Sequence, residues 1–286
     1  MTENEDIHII EAVGRTRIVI KDGKVTEVGT SRIRHCPLAK KFAFPVSETT
    51  PENIRGNIEH RIKSWGMCTP ERTVVDTKPF VGFGASEILS FGLSAGLLDA
   101  IVLATDGAGT IIATNPALVQ GTGGRMSGLV KTVPYPDVIR RIEENGGFVI
   151  DKTHATLNQT AGVAKAYEMG FKKVAVTIAL PEEAKKIREK YPDVLIFGVH
   201  VTGVNRQEAE IFASSADLMT SCASGTMRQV AGKKALLQAG VAVPIFAMTK
   251  KGKDIIIEKI RQSNDQVLFK GTVLPALSEQ QPEPLI

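Results

Sequence analysis

Apolar residues in this chain fall into short β-branched strands near the N-terminus and, further on, into continuous runs set between helix-length stretches. Residues 15–29 are the clearest hairpin. Two β-branched strands flank Asp22-Gly23, a dipeptide that supplies the positive φ values of a tight two-residue turn. A helix is predicted from Pro51. Thr50 can cap it, Pro51 suits its first position, Ile54, Ile58 and Ile62 share a face, and Gly66 ends it. From Phe80 the order becomes strand (80–83), helix (85–98) and buried strand (100–105), with 110–114 pairing back antiparallel.

Beyond Pro134 the alternation is regular. Candidate strands at 148–150, 173–178, 194–200, 217–220 and 243–248 lie between helical patterns at 137–144, 159–169, 181–190, 206–214, 227–238 and 254–260. Helices between continuous apolar strands imply right-handed crossovers and a parallel sheet covered on both faces. The expected fold is therefore α/β: a mostly parallel sheet with helices on both faces in the C-terminal half, preceded by an N-terminal β-hairpin and helical segment. The expected division is 1–78 for the hairpin and helical portion and 79–262 for the α/β domain. Residues 263–286, with their Pro, Gln and Glu, read as a loose tail.

Composition narrows the function classes. With 43% hydrophobic and 23% charged residues in 286, the chain can bury a large core. No apolar run reaches the ~18 residues of a membrane helix. Residues 1–6 are acidic, the reverse of a secretory leader, so a cytoplasmic location is expected. The net charge of +4 comes from interleaved signs, as in 140–144 and 182–186, and only three Tyr and one Trp are present. Nucleic acid is not an expected partner. Homo-oligomerisation is left open.

Candidate chemistry follows from where strands end. Ligands of open parallel sheets bind beyond the carboxyl ends of the strands, which selects Asp106, His200 and Cys222 as neighbours on one rim. Asp106 and His200 are the candidate catalytic residues. The hairpin resembles the opening of metal-dependent amidohydrolases, but the five histidines contain no His-x-His pair, so it is read as structural. The glycine-rich stretch 121–128 is a candidate cradle for a small anionic ligand or coenzyme. There the backbone at Gly121, Gly123 and Gly124, the fork of Arg125 and the hydroxyl of Ser127 could all donate. It matches neither a Walker loop nor a dinucleotide fingerprint, and a flexible surface loop is the plainer reading. Cys36, Cys68 and Cys222 are expected to be reduced. Each sits at a turn, and together they could hold a [4Fe-4S] cluster with one iron open, or a zinc ion. No Cys-x-x-Cys supports that set, and three unrelated thiols is the alternative.

Several peptides carry a resemblance. Gly66-Met67-Cys68-Thr69-Pro70-Glu71-Arg72, Val81-Gly82-Phe83-Gly84-Ala85-Ser86-Glu87-Ile88 and Asp106-Gly107-Ala108-Gly109-Thr110 are three of them. Gly123-Gly124-Arg125-Met126-Ser127-Gly128 and Phe197-Gly198-Val199-His200-Val201-Thr202-Gly203 are two more. With residues 10–20, they resemble the methanogenesis marker protein 8 family of methanogenic and related archaea, over roughly residues 8–262. The resemblance implies an anaerobic archaeal cytoplasm and an accessory or maturation role in methanogenesis, for example toward methyl-coenzyme M reductase. An iron–sulfur centre on the three cysteines, supporting a lyase or sulfur transfer, belongs to that expectation. The alternative is a metal-free α/β module that binds a coenzyme or nucleotide without turning it over.

Overall fold

The computed structural model of the chain describes residues 5–125, 128–264, 266–268 and 270–286. Strands β1 (Ile7–Glu11), β2 (Arg17–Lys21) and β3 (Lys24–Val28) are followed by helix α1 (Pro51–Trp65) and helix α2 (Ala85–Ser94). Strands β4 (Ala100–Thr105) and β5 (Gly109–Ala113), helix α3 (Pro116–Gly123) and strand β6 (Gly128–Lys131) come next. Then follow α4 (Pro136–Glu144), β7 (Gly147–Val149), α5 (Gln159–Glu168), β8 (Val174–Ile178), α6 (Pro181–Lys190) and β9 (Leu195–Gly198). The chain continues through α7 (Arg206–Ser215), β10 (Leu218–Thr220), α8 (Gly225–Met227), β11 (Leu237–Ala239), β12 (Ile245–Ala247) and α9 (Lys250–Gln262).

Local chemistry accounts for the boundaries. The Thr50 hydroxyl accepts from the Asn53 amide at the start of α1, and Gly66 closes that helix in the left-handed conformation. The Asn205 side chain and Glu208 cap each other's backbone amides at the start of α7. Alternation along β4 divides the interior. Ile101 and Leu103 face the core built with α2, α3, α4 and α9, whereas Ala100 and Val102 face the core built with α5, α6 and α7.

Two sheets result. The larger runs β11-β12-β10-β9-β8-β4-β5-β7, and the smaller runs β3-β2-β1-β6. The α/β class with helices on both faces is as expected, but only the central strands β4, β8, β9 and β10 are parallel. Antiparallel pairs flank them on both sides. The strand expected at 243–248 is the antiparallel β12, because β11 and β12 form a hairpin where a crossover helix was expected. The pattern at 227–238 is accordingly a helical turn that widens into the π-turn Arg228–Gly232 and then gives way to β11. Residues 80–83 are bends, not a strand.

Two long-range connections bind the expected portions together. β6, from the middle of the chain, completes the N-terminal sheet by pairing with β1. The C-terminal residues are not loose: Glu283 pairs with His35, and Ile286 exchanges backbone hydrogen bonds with Ala223 and Gly225. One Gln side chain of this segment is itself a tie. Gln281 donates to the carbonyls of Val241 and Ser278, at 2.9 and 2.7 Å, and accepts from Arg228.

Candidate functional site

The four parallel strands end at one edge, and there the chain leaves a cavity of about 360 Å³. Thr177, His200, Thr220 and Cys222 stand at the strand-end side. Residues 80–87 and the end of α3 close the other. Leu103, Val119, Val199 and Ile245 supply apolar wall. A volume of this size suits a small organic molecule held by a few placed polar groups.

His200 is the most developed of these groups. It lies two residues beyond β9 with a φ of 59°, a left-handed conformation that a residue with a Cβ adopts at a cost. The ring meets Glu11, on β1 of the small sheet, with 2.5 Å between Nε2 and Oε2. Gly128, at the start of β6, makes room for it, since a Cβ there would stand 2.6 Å from Nε2. The Glu11 carboxyl is held down to about 2, first by its hydrogen bond with His200 and against the cost of burial. Arg15 adds a 3.1 Å bond to the same oxygen and reaches the Thr202 carbonyl. In the neutral imidazole this partner keeps the proton on Nε2 and leaves a lone pair on Nδ1. Nδ1 has no hydrogen bond to the described residues.

Cys222 is the second reactive group on the wall. Its Sγ lies 3.1 Å from the Thr220 hydroxyl, and its φ of 37° is also left-handed. Arg228, on the π-turn behind it, donates to the Cys222 carbonyl at 2.9 Å, to the Ala242 carbonyl and to Gln281, and to no carboxylate among the described residues. Burial pulls this guanidinium down to about 10, with Cys222 opposing the shift.

The other expected residues lie elsewhere. Asp106 does follow β4 directly, but it is 1% exposed and its carboxylate is consumed in the core. Arg72 Nε reaches both oxygens at 2.9 and 3.1 Å, and the Cys68 amide donates at 2.6 Å. It is the centre of a structural ion pair. Gly121 and Gly123 form the last turn of α3, not a cradle loop. They are glycines because neighbours press on them: a Cβ on Gly121 would lie 2.3 Å from the Val74 carbonyl oxygen. Gly124 follows as the cap and, with Gly123, borders the cavity. The Arg125 fork is paired with Asp76 and stacks on Trp65. Ser127 lies outside the described residues.

The cysteines do not form one set. Cys68 is fully buried in the core of the small sheet, beside Met67 and Ile10, and burial drives its thiol well above the usual range. Cys36 and Cys222 are close enough to interact electrostatically, and burial likewise raises Cys36. Among the described residues no group of three or more His, Cys, Asp or Glu side chains could share a metal ion. The three thiols as placed do not fit a common iron–sulfur cluster.

Glu11 and Glu87 went unnoticed in the sequence. Glu87 had a local signal, an acidic residue in the first turn of a helix. Glu11 had none, because its partner lies 189 residues away. Among the described residues no helix is long and apolar enough to cross a membrane.

Comparison with known sequences adds a family. The description "Uncharacterized protein conserved in archaea (DUF2099)" matches residues 8–261. The uncharacterized protein MJ0054 of Methanocaldococcus jannaschii is 43% identical over 284 residues, covering 98% of this chain and 100% of its own length.

Proposed function

This chain belongs to the conserved archaeal family DUF2099, and we propose that it acts on a small organic molecule bound in the cavity at the carboxyl edge of the parallel strands. The observation that carries the reading is the Glu11–His200 pair. A half-buried carboxylate on one sheet holds the Nε2 side of an imidazole that lines the cavity, and the other ring nitrogen makes no hydrogen bond to the described residues. Such an arrangement performs proton abstraction and return. Cys222 offers a thiol on the same wall, to add to an electrophilic carbon or to hold a sulfur-bearing ligand.

The peptides that resemble methanogenesis marker protein 8 support a place for this chemistry in methanogenesis, as an accessory or maturation step. Phe197–Gly203 in that resemblance includes His200 itself. The three-cysteine cluster is not part of the proposal, because Cys68 is committed to the core of the small sheet.

Incubating the protein with a small-molecule extract of methanogenic archaeal cells, and following every mass over time, tests the reading. The expected result is depletion of one compound with matching growth of another, lost in His200→Gln and slowed in Glu11→Gln. A compound retained but unchanged would favour the non-catalytic binding module. Turnover that survives His200→Gln would remove His200 from the chemistry.

A further inference from the structure

The cavity has an unusual charge inventory. Among the described residues that line it there is no lysine or arginine, and the single acidic side chain is Glu87. Glu87 is buried, yet only one of its oxygens is used: Oε1 accepts from the amides of Phe80 and Val81 at 2.8 and 3.3 Å and from Gln120 at 3.2 Å. No described residue donates to Oε2, and none of the bonds to Oε1 comes from a cation. The nearby cation that an anionic ligand would need, Arg125, is already neutralised by Asp76.

The first turn of α2 also meets this cavity through Ala85 and Ser86, and its Gly84 cap offers no side-chain acceptor. That end of a helix carries about half a positive charge. Glu87, at the third position of the same turn, sets an acidic side chain against that end of the helix.

Resting on the reading of this cavity as the substrate site, we infer that its ligand has an apolar body and a protonated amine, and that Glu87 Oε2 receives the ammonium. Carboxylates and phosphates are disfavoured. A carboxylate buried with an open oxygen gains most from a charged donor, since hydrogen bonds between ionised partners are about twice as strong as neutral ones. An incoming anion would meet Glu87 in a poorly solvated space, with no fixed cation to offset the repulsion.

Three matched probes decide the matter: cyclohexylmethylammonium, cyclohexylmethanol and cyclohexanecarboxylate. Each is titrated against the full chain at mildly alkaline pH by ligand-observed NMR, with protection of Cys222 from iodoacetamide read by peptide mass mapping. The ammonium is expected to bind about tenfold or more tighter than the carboxylate and to shield Cys222. Glu87→Gln, which keeps the Oε1 acceptor, is expected to erase that preference. Equal binding of all three, or tighter binding of the carboxylate, overturns the inference while leaving a small-molecule site in place. If no probe binds and none protects Cys222, the inference and the cavity reading fall together. The wild-type comparison stands even if the variant folds poorly.

Discussion

Glu11 and Asp106 both carry carboxyl side chains at strand ends, and their surroundings give them opposite uses. Asp106 is sealed with Arg72, both side chains at zero exposure, and its remaining lone pairs take the Cys68 amide. Removing one partner of such a pair typically costs about 3–5 kcal/mol, so its value lies in fixing where the small sheet's core meets the end of β4. The rule about strand ends put Asp106 on a rim with His200 and Cys222, but it could not show Arg72, 34 residues earlier, taking up the Asp106 carboxylate away from the cavity. His200 was found by the same rule, and there the partner left one nitrogen open. Glu11 makes the difference testable. Its folded pKa, about 2, lies below its ordinary value of 4.5. The stabilisation it brings is therefore complete above about pH 4.5 and is lost as pH falls through about 2. Wild type should exceed Glu11→Gln in urea resistance at neutral pH, and that margin should shrink across this acid window. A margin that is flat with pH would mean the His200 bond does not hold the carboxyl down.

At the scale of elements, glycines were the residues most easily misread. A run at 121–128 suggests mobility because glycine loses the most entropy on ordering, yet Gly121 and Gly123 lie within a helix. The missing information is a contact distant in sequence, the backbone of Val74 and Val75 against Gly121. Two effects compete on Gly121→Ala. Helix propensity favours alanine by about 1 kcal/mol, whereas overpacking against rigid neighbours costs about 1–3 kcal/mol. The obstacle is a backbone carbonyl at 2.3 Å, which cannot swing aside as a side chain would. The clash should win, and Gly121→Ala should lower the urea midpoint; a rise would show that residues 74–75 yield freely. Patterns that depend on near neighbours were legible: the Thr50 cap, the Gly66 stop and the Asp22-Gly23 turn all stand where the residues put them. The direction of β12 was not, since apolar runs look alike in parallel and antiparallel strands.

For the whole molecule, the expected cut at residue 78 and the loose tail both underestimated how the chain is sewn together. β6 carries the middle of the sequence into the N-terminal sheet, and this is what brings Gly128 against the ring that Glu11 holds. The C-terminal residues make the second seam. Within four positions, Glu283 pairs with His35, next to Cys36, and Ile286 pairs with Ala223, next to Cys222. Arg228, behind Cys222, spends one arm on Gln281. Nothing in residues 275–286 marks such a role, because its bonds are mostly backbone and amide contacts with partners far away in sequence. Deleting these residues should remove a cover without touching the parallel strands. The Cys222 loop would then open locally more often than the molecule unfolds, and its thiol should react with iodoacetamide about tenfold or more faster. Cys68, buried in the other core, should keep its wild-type rate, which separates local opening from general loosening. If Cys222 and Cys68 accelerate together, the segment supports global stability. If neither changes, the seam is incidental and the loop is held by its bonds to Thr220, Arg228 and Pro244.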